Sequence, residues 1–113
     1  MQRDFRPAVY IMDNGRNGAV YTGVTSNLVQ RVWQHREAVI DGFTKRHGCK
    51  LLAWYELHST MEYAIAREKQ IKGWLRSRKI ALIERSNPTW EDLANDWFDN
   101  SISRKAGPSL RSG

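Results

Sequence analysis

The 113 residues have room for one small domain, and 41% hydrophobic residues with five tryptophans can supply it with a core of its own. A single cysteine, Cys49, excludes an internal disulfide and any zinc site built from several cysteines, and no apolar run approaches the roughly 18 residues that span a bilayer. Eighteen Lys and Arg against twelve Asp and Glu give a net charge of +6, which favours polyanionic partners.

The opening "MQRDFRPAVY" has no apolar signal-peptide core, so a soluble, cytoplasmic protein without membrane contact is expected. Residues 101–113, "SISRKAGPSLRSG", carry three basic and no acidic residues in the Ser, Gly and Pro composition of a disordered end. This divides the chain into a domain over 1–100 and a basic tail. Between 67 and 85, seven basic residues face only Glu68 and Glu84, a balance that suits phosphate contacts and equally suits a solvated helix face.

In "AVYIMDNGRNGAVYTG", residues 8–23, two β-rich runs are joined by Asn-Gly turn chemistry and read as a hairpin. Centring it between Gly15 and Arg16 pairs Tyr10 with Tyr21. Alternation then puts both tyrosines on one face and Val9, Ile11, Val20 and Thr22 on the other. A helix follows over about 25–40, capped by Ser26 or Asn27, with Leu28, Val32 and Val39 at helical spacing and Arg31 and His35 four apart on one side. "GFTKRHGCK" (42–50) reads as a basic loop and "LLAWYEL" (51–57) as a third strand. Ser59 and Glu62 have capping-box spacing before the next helix. There Met61, Ala64, Ile65, Ile71 and Leu75 form an apolar stripe. A further helix over about 76–85 ends before Pro88, and Thr89 is placed to cap a last one with Trp90, Leu93, Ala94 and Trp97 on one face.

Glu68 falls in the middle of that apolar stripe. A carboxylate so placed needs a cation, strong donors or a metal, because an unpaired buried charge costs several kcal/mol or neutralises itself. Two readings stay open: an ion pair with Arg31 or Arg67, or a hard divalent cation such as Mg²⁺, which takes one or two carboxylates and completes its shell with water and substrate phosphate. His47 and His58 read as surface residues, and the five tryptophans mainly as packing.

In order, "VYIM…VYTGVTSNLVQRVWQH…GFTKRHG…AIAREKQIKGW…LIERSNPTWEDL" resembles the GIY-YIG nuclease superfamily. The likeness is to its small single-domain endonucleases, relatives of the N-terminal nuclease domain of the excinuclease subunit UvrC. Ala8-Val9-Tyr10 and Tyr21-Thr22-Gly23 stand for the two naming motifs, with Ala8 and Thr22 departing from them. The resemblance implies an α+β fold, a three-stranded antiparallel sheet flanked by helices. It implies Tyr10 and Tyr21 as active-site tyrosines, Arg31 as phosphate clamp, His35 as the polar residue one turn later, Glu68 as ligand of Mg²⁺ or Mn²⁺, and Asn87 as the asparagine near the end. The activity implied is metal-assisted hydrolysis of DNA, or of structured or single-stranded nucleic acid, with Tyr10 favoured as base although the sequence does not separate it from Tyr21. Lys45, Arg46, Lys69 and Lys72 are candidate DNA contacts. The competing function is a non-catalytic nucleic-acid-binding module of the same fold.

Overall fold

The computed structural model describes residues 6–15 and 18–98. Strand β1 (Ala8–Asp13) pairs antiparallel with β2 (Val20–Thr25) on one edge and with β3 (Leu51–Leu57) on the other, giving the order β2-β1-β3. Helices α1 (Leu28–Arg36), α2 (Phe43–His47), α3 (Met61–Lys72) and α4 (Arg76–Ser86) complete the expected α+β architecture. Among the described residues no helix is long and apolar enough to cross a membrane. The proposed tail, 101–113, lies outside the described residues.

Every residue of β1 is buried, because the strand is paired on both edges and covered on both faces. Ala8, Tyr10 and Met12 pack with Leu28 and Val32 of α1, with Leu52 and with Ala94. Val9 and Ile11 pack with Ala64 and Ile71 of α3, Ile83 of α4, Trp54 and Trp90. The side-chain alternation read from the hairpin is therefore the one observed. A bulge between Ile11 and Met12 lets β3 keep Trp54 on one face and Leu52 on the other.

The hairpin register differs from the expected one by two residues. Tyr10 stands opposite Gly23 and Tyr21 opposite Met12. Asn14 N–H bonds to Ala19 O (3.3 Å) while the Asn14 Oδ1 accepts from Ala19 N–H (2.8 Å), which closes the turn further along the second strand than a centre at 15/16 allows. A shift of two preserves the faces, so the tyrosines become diagonal neighbours instead of direct partners.

Asn27 caps α1, accepting from Gln30 N–H, and the helix stops at Arg36 instead of running to 40. The stop is marked by the positive φ of Ala38. The basic segment 42–50 contains α2, bounded by Gly42 and Gly48, whose positive φ values set its ends. For α3 the cap is Thr60, bonded to Tyr63 N–H, and not Ser59. The expected α3 stripe narrows to Ala64, Glu68 and Ile71, since Ile65 is 37% and Leu75 79% exposed. Trp33 is also exposed, unlike the buried Trp54 and Trp90.

Among the described residues no last helix forms after Thr89. Trp90 has φ +57, and Asp92 Oδ1 accepts from Leu52 N–H (3.0 Å) and Ala94 N–H (3.1 Å), so side chain and strand take the backbone partners a helix would have used. The turns still deliver Trp90 and Ala94 to the two cores.

Candidate active site

The site forms at the free edge of β2. Gly23 makes it possible. A Cβ on residue 23 would stand 2.5 Å from Tyr10 Cζ and 2.8 Å from Tyr10 Cε1, so only glycine lets the Tyr10 ring lie across the edge strand. The Tyr10 and Tyr21 ring centres are 6.4 Å apart, and the His35 ring completes a triangle at 5.5 Å from Tyr10 and 5.7 Å from Tyr21. His35 comes from the inward side of α1, where Leu28 and Val32 are also buried.

Tyr10 has no exposed surface, and its hydroxyl is 2.9 Å from His35 Nε2. On the other side of the imidazole, His35 Nδ1 is 3.0 Å from Thr44 Oγ1 of α2. Arg31, one turn before His35, acts on both groups: its positive charge favours a Tyr10 phenolate and disfavours a charged imidazole. Burial outweighs it at Tyr10. Desolvation, then the Tyr21 and Glu68 neighbours, push the phenol well above its ordinary value, so it stays protonated near neutrality. Burial, then Arg31, lowers His35 to about 4, leaving a neutral ring with one donor and one acceptor nitrogen. Tyr21 is half-buried, and its hydroxyl has no hydrogen-bond partner among the described residues.

Because α3 packs on the opposite face of the sheet, Glu68 and Lys72 reach the tyrosines around the β2 edge. Glu68 is 8% exposed, and Oε2 is 2.7 Å from Lys72 Nζ, which lies 5.7 Å over the Tyr21 ring. The carboxylate's partner is thus Lys72, in place of the Arg31 or Arg67 expected of an ion pair. Arg67 bonds instead to Glu56 (3.0 Å) and Gln70 (2.6 Å). The bond to Glu68 raises the Lys72 ammonium above its ordinary value. Among the described residues no group of three or more His, Cys, Asp or Glu could enclose a metal.

Tyr10, Tyr21, Arg31, His35 and Glu68 are therefore brought together, and Asn87 is not. Its Nδ2 donates to Ala53 O (3.0 Å) and Glu91 O (2.9 Å), and its Oδ1 accepts from Glu91 N–H (3.0 Å), tying the end of α4 to β3. Of the candidate DNA contacts, Lys45, Arg46 and Lys69 are exposed, Lys45 beside Asp41 at 3.3 Å, whereas Lys72 is committed to Glu68. Sequence reasoning assigned no role to Gly23 or Thr44. A glycine inside a β-rich run signals close approach, which was available for Gly23. Thr44 carries no comparable signal, since its contact spans a loop.

A family model described as the GIY-YIG catalytic domain matches residues 6–81. UPF0213 protein SH2523 of Staphylococcus haemolyticus is 32% identical over 76 residues, covering 67% of this chain and 92% of that protein. A UPF0213 protein of Staphylococcus aureus strain Mu3 is 31% identical over 68 residues, covering 60% of this chain and 83% of the relative. No solved structure matches the chain. The matched region runs from before β1 into α4 and contains every residue gathered at the β2 edge, and its class is that of nucleases. The chain belongs to the GIY-YIG family.

Proposed function

We propose that the protein is an endonuclease that hydrolyses DNA phosphodiester bonds with the help of a divalent cation. The observation that carries this reading is the meeting of two phenols, an imidazole, a guanidinium and a carboxylate at one open sheet edge. Among the described residues the buried carboxylate is answered by a half-exposed lysine, a weak tie for a purely structural cluster.

Glu68 would hold Mg²⁺ or Mn²⁺. The donor set fits such an ion: one hard carboxylate near the sheet edge, screened by the half-exposed Lys72, which would leave the rest of the shell to water and substrate phosphate, with no enclosing group of ligands among the described residues. When bound, the ion stabilises negative charge on the phosphate and the leaving oxygen. Arg31 clamps a non-bridging oxygen. Lys45, Arg46 and Lys69 neutralise flanking phosphates.

The two tyrosines divide the work. Tyr21, partly buried and with a hydroxyl that has no hydrogen-bond partner among the described residues, is the one an attacking water can touch in this conformation, and it replaces Tyr10 as the favoured base. Tyr10, engaged by His35 and Arg31, holds the clamp in place.

The test is incubation of purified protein with supercoiled, linear, branched and single-stranded DNA in Mg²⁺, Mn²⁺ or EDTA. Cutting that requires the cation supports the proposal. Undiminished cutting in excess EDTA overturns the metal role, and tight DNA binding without cutting under any condition favours the binding-module reading.

A further inference from the structure

In the Tyr10–His35–Thr44 chain the Tyr10 hydroxyl is 2.9 Å from His35 Nε2 and Thr44 Oγ1 is 3.0 Å from Nδ1. The Arg31 charge acts on both Tyr10 and His35, which favours the phenol with its lone pairs toward the guanidinium and its proton away from it. In that orientation the proton meets His35 Nε2, which is then the acceptor nitrogen. A neutral imidazole accepting at Nε2 carries its proton at Nδ1, and that proton meets Thr44 Oγ1 at 3.0 Å. All three side chains are buried, so water offers no easy replacement for any link.

We propose that Thr44 is a positioning residue for the phosphate clamp: by accepting from Nδ1–H it holds His35 in the tautomer that lets Tyr10 donate to Nε2 and turn its lone pairs toward Arg31. Without the Thr44 oxygen, the buried Nδ1–H has no acceptor, and the ring relaxes to the Nε2–H tautomer. That tautomer donates to Tyr10 and swings the phenol proton toward the guanidinium. The inference rests on the nuclease reading for its functional consequence and on hydrogen-bond geometry for its tautomer.

The experiment reads both separately. Nitrogen-15 NMR of the full chain in EDTA, with His35 assigned by comparison with His47 and His58 variants, reports which ring nitrogen is protonated. Cleavage of DNA in Mg²⁺ or Mn²⁺ reports the clamp. Wild type is expected as the Nδ1–H tautomer. Thr44→Val is expected to shift toward Nε2–H and cut roughly tenfold or more slowly, as small misplacements of a positioned group do. Thr44→Ser, which keeps the hydroxyl, is expected to retain both properties. An Nε2–H tautomer in wild type overturns the proposal even if Thr44→Val does not fold, and so does a folded Thr44→Val with wild-type tautomer or rate. If wild type cuts no substrate while the tautomers behave as stated, the nuclease reading fails and the tautomer assignment stands.

Discussion

Tyr10 occupies the space that a side chain on Gly23 would need, with its Cζ 2.5 Å from where that Cβ would stand. The two residues are direct partners across β1 and β2, so neither can slide away from the other.

Gly23→Ala is therefore expected to expel or tilt the Tyr10 ring. Overpacking a buried contact costs about 1–3 kcal/mol, and the displaced phenol loses His35. Thermal melting should show the loss of stability, and cleavage should fall further than stability alone explains. A variant that melts and cuts like wild type would show that the ring has another path.

The tyrosine hydroxyls should separate in a pair of Phe variants. Tyr10→Phe removes the hydroxyl bonded to buried His35 Nε2 and should cost about 1–3 kcal/mol. Tyr21→Phe removes a hydroxyl with no partner among the described residues and should leave melting unchanged while slowing cleavage by about 10²-fold or more at saturating DNA. Equal rates for Tyr21→Phe and wild type would return the base assignment to Tyr10.

Glu68→Gln tests the carboxylate. Its partner Lys72 has a side chain 49% exposed and can turn to solvent, so losing the pair should change stability by no more than about 1 kcal/mol. Cleavage should nevertheless collapse, and titration with Mn²⁺ followed by electron paramagnetic resonance should show lost binding. A variant that retains cation binding and cutting removes Glu68 from the metal site.

Much of this was legible in the amino-acid order. The hairpin, the 51–57 strand and the two later helices follow from local alternation and spacing, and Glu68 announced itself as a charge on a buried stripe. The hairpin register was not legible, because side-chain bonds from Asn14 decide where the turn closes. Nor was α2, whose five residues are too few to show helical periodicity. The segment after Thr89 has the spacing of a helix, and Asp92 overrides it through a bond to a strand 40 positions away. The contact of Thr44 with His35 crosses a loop and was hidden in the same way, whereas the Glu68–Lys72 pair, four apart in one helix, was legible and was passed over for the two arginines.

Thr22 supplies a further test. Its Oγ1 is buried without a hydrogen-bond partner among the described residues, on the β2 face that meets Val9 and Ile11. Thr22→Val keeps the shape and removes the unsatisfied hydroxyl, so it should stabilise the fold by about 1 kcal/mol with cleavage unchanged. A lower melting temperature would mean that the hydroxyl has a partner in solution.

His35 imposes a pH dependence on stability. Its folded value of about 4 lies below the ordinary 6.5, so the unfolded chain binds a proton between these limits that the folded protein does not. The contribution is fully present above pH 6.5 and is lost as pH falls toward 4. Denaturant unfolding at pH 7, 5.5 and 4.5 should show a steeper decline for wild type than for His35→Gln. Parallel curves would mean that the imidazole is not held neutral.

The strand that carries Tyr10 has both edges paired and both faces covered, which makes it the part of the molecule least able to open locally. Motion on the catalytic timescale has to come from elsewhere. The groups around Tyr10 sit on less protected elements: Tyr21 on an edge strand, Lys72 in the last turn of α3, Thr44 on a five-residue helix tied to the hairpin turn by Asn14 Nδ2 and His47 O at 2.6 Å. In the proposed nuclease, substrate would rearrange the rim of the site around a phenol that stays still, with the central strand as the fixed reference point for the Arg31 clamp.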